Sequence, residues 1–170
     1  ARLLLMPIRS LYGTFAWVTS PFILGRLVRD LKDAGIAGPN AGMPQVTGTR
    51  QCLVAAPSAA VARNEKVYLE DLDLTASHST DAASWAEWLA PKLFPDDKPR
   101  EDLGAWQTML TTHLCVVHDD VLTFLMETAT EVTARIRLLD DKKTVKKGGL
   151  WYEEALPSET ILAGLAVTNA

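Results

Sequence analysis

The sequence predicts a single α+β domain built around a sheet. Three observations carry that prediction. The chain has 170 residues, of which 48% are hydrophobic and 22% charged, an ordinary globular balance with enough apolar material for one sizeable core. Several apolar or alternating runs have the length of a strand. Segments of helical period fall between them in irregular order, which favours an antiparallel sheet; a parallel α/β arrangement stays open, because periodicity does not separate the two.

Residues 2–9 form an apolar run bounded by Arg2 and Arg9 and read as a strand buried on both faces. Ser10 to Val18 read as a turn leading into a second extended segment. Ser20 and Pro21 make a helix start, the hydroxyl as cap and the proline at the first helical position. Ile23, Leu24, Leu27, Val28 and Leu31 then follow at helical spacing, and Gly35 is the expected stop. The glycines and prolines of 35–50 make a loop, followed by a short strand over 51–56. Residues 66–74 alternate and read as one strand, with Val67, Leu69 and Asp71 on one side. Helices are expected over 81–89, limited by Pro91 and Pro95, and over 101–110, with a charged linker at 95–102 between them. A strand over 112–117 precedes a helix capped by Asp119 or Asp120 and ending near Ala129. Residues 131–138 alternate as a strand, 140–149 form a polar loop, Leu150 to Tyr152 begin the return arm, and 161–167 form the last strand.

Net charge is −4, against nucleic acid if taken as an average, but the charge is unevenly placed. Residues 1–32 carry +4, residues 33–130 carry −8, residues 131–147 carry +3 and residues 148–170 carry −3. Two basic zones thus flank an acidic middle, and a fold that brings them to one face would hold a polyanion. Cys52 and Cys115 lie far apart in apolar company with no CxxC spacing, so they read as buried reduced thiols of a cytoplasmic protein. No apolar run approaches the ~20 residues of a membrane helix, and no membrane partner is expected. The chain opens on Ala1 inside an apolar run, which reads as a domain whose N-terminal portion is missing.

Few residues carry chemistry. His118, Asp119 and Asp120 suggest a metal site, but further ligands at a recognised spacing are wanting, and a strand end running into an acidic helix start explains them better. Glu70/Asp71 and Glu153/Glu154 are adjacent pairs that point to opposite sides of a strand, so neither converges for acid–base work. No GxSxG, Walker or GxGxxG motif occurs. The segment 131–152 (EVTARIRLLDDKKTVKKGGLWY) is different. Arg135 and Arg137 sit two apart and face one side; Lys142, Lys143, Lys146 and Lys147 crowd the tip; Trp151 and Tyr152 lie on the returning arm, where a ring can stack on a base. These residues, with Arg9 from the first basic zone, are the candidate RNA-binding set. A solvated lysine-rich hairpin is the plain alternative.

Longer blocks carry a resemblance. ARLLLMPIRS at 1–10, GTFAWVTSP at 13–21, VYLED at 67–71, EVTARIR at 131–137, KTV at 143–145 and LWYEEALPSET at 150–160 together resemble the RAMP-superfamily backbone subunit of the type III-B CRISPR (Cmr) effector complex. The blocks occur in the family's order along nearly the whole chain.

The resemblance implies a ferredoxin-like, RNA-recognition-motif-type core with inserted helices and a thumb β-hairpin, placed at 135–152. It implies a role in antiviral defence: binding crRNA, the guide, and target RNA, stacking with copies of itself into a filament, and meeting other Cmr subunits. The family is a metal-dependent endoribonuclease using Mg or Mn. Its catalytic aspartate lies in a loop ahead of the segment matching Ala1, so no residue here takes the catalytic role or ligates metal, and the first strand and helix of the core fall outside the chain as well. Two rivals make different predictions. A purely structural RAMP subunit would assemble with neighbouring proteins even with its basic residues removed. An unrelated metal-dependent hydrolase would hold metal at His118.

Overall fold

The structure is a computed structural model and describes residues 3–95, 103–138 and 144–164. Its first strand, β1 (Leu3–Arg9), lies antiparallel to β2 (Phe15–Thr19), with Met6 opposite Val18 and Ile8 opposite Ala16. The turn between them needs Gly13, whose φ of +71° is paired with the Ala60 carbonyl oxygen 3.1 Å from where a Cβ would stand.

Helix α1 (Pro21–Asp33) follows with proline at its start and ends where Gly35 adopts φ +67°, as the sequence leads one to expect. Its cap differs from expectation. Ser20 is buried and makes no side-chain cap; instead the Phe22 N–H donates to Asp119 Oδ1 at 2.9 Å. An acid from a distant element meets the positive end of this helix. The following loop is held to the body at Gly42, whose N–H donates to Asp81 Oδ1 (2.9 Å) and whose carbonyl accepts from Trp85 Nε1 (3.1 Å).

Beyond the loop come β3 (Gln51–Val54), β4 (Ala62–Arg63), β5 (Lys66–Leu69) and β6 (Leu72–His78). The single strand expected over 66–74 is thus a hairpin turning at Glu70 and Asp71, with Glu70 at φ +48°. The turn shifts the alternation, so Val67 and Leu74 are register partners on one buried face. The β4–β5 turn has Asn64 and Glu65 both at positive φ, the backbone of a tight primed hairpin turn.

Helix α2 (Thr80–Leu93) is capped by Ser79, whose hydroxyl accepts from the Ala82 N–H at 3.2 Å. It runs past Pro91, the expected limit, because Leu89 and Ala90 bury against the sheet and the lost N–H falls in the last turn. Helix α3 (Leu103–His113) takes the first two residues of the expected strand, leaving β7 (Leu114–Val117) wholly buried. Helix α4 (Asp119–Thr128) is capped not by an aspartate but by His118, whose Nδ1 accepts from the Asp120 N–H at 3.3 Å.

Eight strands form one sheet in the order β10-β1-β2-β7-β3-β6-β5-β4, where β10 is Ile161–Ala163. The sheet is mixed rather than antiparallel: β2 runs parallel to β7, and β3 to β6. Both parallel pairs are joined by long connections, as parallel neighbours require. Alternate residues divide the core. Leu3, Leu5, Trp17, Leu114 and Val116 face α1, α2 and α3; Met6, Ile8, Val18, Cys115 and Val117 face α4. Cys52 and Cys115 are free and buried on that second face, on neighbouring strands. Hydrogen bonding to the Cys115 thiol, with burial, pushes the Cys52 thiol well above its ordinary range. Among the described residues no helix is long and apolar enough to cross a membrane.

The remaining strands, β8 (Glu131–Leu138) and β9 (Val145–Ala155), form a separate two-stranded ribbon. β8 has the expected bounds, whereas β9 starts earlier than expected, taking in Val145 to Gly149, which read as loop in the sequence.

Candidate nucleic-acid interface

Register assigns the ribbon two faces. Opposed residues of an antiparallel pair share a side, so Thr133 with Glu153 and Arg135 with Trp151 make a polar face. Arg137 continues that face against Gly149, where an added Cβ would meet the Arg137 backbone oxygen at 3.0 Å. The other face holds Val132, Ala134, Ile136 and Leu138 from β8 and Val145, Leu150 and Tyr152 from β9, with Glu154 opposite Val132 at the root. It is mostly apolar yet open to solvent: Val132 is 63% exposed and Tyr152 68%. The register slips between Ile136 and Leu138, and Gly148 at φ +73° lies in the slip.

The candidate residues divide into three groups. Arg135 is not free: its Nε lies 2.9 Å from Glu153 Oε2. Trp151 Nε1 donates to Glu153 Oε1 at 3.1 Å, so the carboxylate ties ring and guanidinium together. Those contacts, Trp151's first, hold the Glu153 carboxyl below the usual carboxylate range. Arg9 is likewise engaged, with its guanidinium 2.8 Å from Glu70 Oε2. Two of the three arginines expected to meet RNA, Arg135 and Arg9, are therefore each paired with a carboxylate that the sequence reading did not connect to them. Arg137, Lys146 and Lys147 are exposed and form no ion pair among the described residues. Lys142 and Lys143 lie outside the described residues.

Convergence of the two basic zones is partial. A groove of about 350 Å³ is lined by Pro7, Arg9 and Glu70 on one side and by Thr130, Glu131 and Pro157 at the ribbon's root on the other. Glu131 also accepts from the Ser158 N–H at 3.2 Å, tying the root to the turn before β10. Arg9 thus reaches the base of the ribbon, while Arg135 stands four residues further along it, roughly 13 Å at strand rise. Arg2 lies outside the described residues, and Arg26, Arg29 and Lys32 belong to α1, where Arg26 stacks on Phe22 at 5.7 Å.

Two features were missed in the sequence. The apolar face was visible as alternation over 131–138, but only its exposure marks it as a surface. Glu153 was set aside as half of an adjacent acidic pair, whereas its partners are Arg135 across the ribbon and Trp151 two residues back on the same strand. His118 serves as a helix cap, and among the described residues no three His, Cys, Asp or Glu side chains come together to hold a metal ion.

No family model matches the chain. It is 33% identical over 170 residues to the CRISPR system Cmr endoribonuclease Cmr4 of Pyrococcus furiosus, a match covering 99% of this chain and 53% of the relative. The chain is homologous to Cmr4. The crystal structure of oligomeric Cmr4 from Pyrococcus furiosus superposes with a TM-score of 0.63 at 25% identity, covering 93% of this chain and 50% of that one. The cryo-EM structure of the type III-B Cmr-beta bound to cognate target RNA contains a chain of the same fold, with a TM-score of 0.55 at 17% identity over 91% of this chain and 50% of that one. The chain spans about half the length of the Cmr4 relatives it matches. Its mixed sheet, with helices on both faces, is the α+β architecture it shares with the Cmr4 structures.

Proposed function

We propose that this chain is the RNA-gripping part of a guide-binding backbone subunit of a cytoplasmic type III-B CRISPR complex. In this reading the sheet is a ferredoxin-like, RNA-recognition-motif-type core, and the ribbon is the thumb that reaches crRNA and target RNA. Copies of the chain and other Cmr subunits are its protein partners. The observation that carries it is the ribbon itself: an exposed arm with cations that have no ion pair among the described residues, and aromatic rings on both faces. Arg137, Lys146 and Lys147 neutralise phosphates, Trp151 offers a ring to a base, and the apolar side displaces water from stacked bases. Arg135 and Arg9 play a smaller part because Glu153 and Glu70 already hold them. The endoribonuclease activity that the relative's name gives to Cmr4 is assigned to no residue here, and no step is routed through a metal.

Fluorescence anisotropy with a labelled single-stranded RNA tests the proposal. Replacing Arg137, Lys146 and Lys147 together by alanine is expected to weaken binding at least about tenfold at low salt. The slope of log affinity against log salt should fall by roughly 2, as three lost phosphate contacts require. Unchanged affinity would remove the ribbon from the site and favour a subunit that only binds proteins.

A further inference from the structure

Beyond Ile136 and Leu150 the next register pair of the ribbon is Leu138 with Val145. One residue of β8, Arg137, therefore stands against four of β9, Lys146 to Gly149. Regular pairing from Leu150 would instead carry Lys147 and Lys146 one and two positions beyond Leu138, on opposite faces. The bulge draws both lysines back beside Arg137 and keeps Val145 opposite Leu138 on the apolar face. Two glycines make the detour. Gly148 adopts φ +73° with nothing within 4 Å of an added Cβ, so conformation rather than space selects glycine there. Gly149 is the one buried residue of β8 and β9, and an added Cβ would lie 2.8 Å from the Lys146 carbonyl oxygen and 3.0 Å from the Arg137 carbonyl oxygen. The backbones that carry two of the cations thus pack on the same glycine.

In an arm that is otherwise exposed throughout, this packed point fixes where Arg137, Lys146 and Lys147 leave the ladder. All three are exposed, and none has an ion pair among the described residues. Gathering like charges in one short stretch is repulsive, so the bulge works against the ribbon's own stability. A ligand that brings negative charge reverses that sign. We infer that the four-against-one bulge positions the ribbon's cations for neighbouring phosphates of an RNA strand, with Gly148 and Gly149 as positioning residues. The inference rests on the RNA reading and adds that placement, not charge count, sets the affinity. In regular register, alternation would divide the two lysines between the polar and the apolar face, and a strand crossing the polar face would meet only one of them.

The test holds charge constant and changes only the backbone. Gly148→Val puts a β-branched residue at a positive φ that it resists, whereas Gly148→Asn puts there a residue that tolerates it. Anisotropy with the labelled single-stranded RNA is read over a salt series, with the Arg137, Lys146 and Lys147 triple alanine variant alongside. Gly148→Val is expected to weaken binding about fivefold or more at low salt and to lower the slope of log affinity against log salt by roughly 1. Gly148→Asn should stay within about twofold of the parent and keep its slope. A merely structural fault would shrink the binding-competent fraction and leave the slope unchanged. Three outcomes would each overturn the positioning role while the RNA reading stands: a loss in the triple variant with Gly148→Val like the parent, equal losses with valine and asparagine, or a loss in Gly148→Val at unchanged slope. An unchanged triple variant would overturn both.

Discussion

The sheet and the ribbon are built from similar residues and solve opposite problems. In β1 the apolar side chains face helices on both sides of the sheet, and Leu5, Met6 and Ile8 are wholly buried. In β8 the alternating Val132, Ala134 and Ile136 have nothing to face, and every residue of the strand is exposed. A two-stranded ribbon is marginal by itself in water, so its order depends on its root and on what it touches. The difference teaches that alternation reports a strand but not whether a core exists to receive it. The sheet carries stability; the ribbon carries contact.

Truncation separates the two most sharply. Leu5→Ala is expected to lower unfolding free energy by about 3–4 kcal/mol, as for other core leucines. Ile136→Ala on the ribbon's apolar face should cost less than about 0.5 kcal/mol. Urea denaturation measures both, and comparable losses would mean that the ribbon's face is covered in solution. Glycine gives a second contrast. Gly13→Ala must place a Cβ against the Ala60 backbone at a positive φ and should cost about 1–3 kcal/mol. Gly149→Ala meets the Lys146 carbonyl oxygen at 2.8 Å, so it should distort the ribbon and weaken RNA binding while leaving the urea midpoint nearly unchanged.

The same contrast governs what could be read from the sequence. Strands buried on both faces announce themselves as apolar runs, and β1 and β7 were placed within two residues of their observed starts. The β5–β6 turn escaped because Glu70 and Asp71 lack the glycine or asparagine that marks such turns, and alternation runs on through them. Parallel pairing of β2 with β7 was illegible for another reason: it is set by which strands the helices bring together over about ninety-five intervening residues. The cationic residues of the ribbon were legible by composition. Their partners were not, since Arg9 finds Glu70 sixty-one positions away and Arg135 finds Glu153 eighteen away.

Long-range capping is a smaller effect of the same kind. Asp119 opens α4 in sequence but caps α1 in space, through the Phe22 N–H. Asp119→Ala should cost about 1 kcal/mol, and Asp119→Asn, which keeps an acceptor oxygen, should recover most of it. Equal losses in the two variants would show that charge at the helix ends, rather than the hydrogen bond, is the stabilising part.

The smallest expected effect bears most directly on function. Glu153 ionises below the ordinary carboxylate value of about 4.3, so its hold on Arg135 is present above that range and is lost as pH falls through the lowered value. At neutral pH the carboxylate is therefore charged and competes with phosphate for the arginine. Glu153→Gln removes that competitor and one repulsive charge, and RNA affinity should rise by about two- to fivefold at low salt. A double-mutant cycle by anisotropy sharpens the point. Arg135→Ala should weaken RNA binding more in the Glu153→Gln background than in the parent, because only there is the guanidinium available. Equal losses in both backgrounds would mean that the Arg135–Glu153 pair opens freely to RNA, and that the ribbon's polar face is a full arginine surface after all.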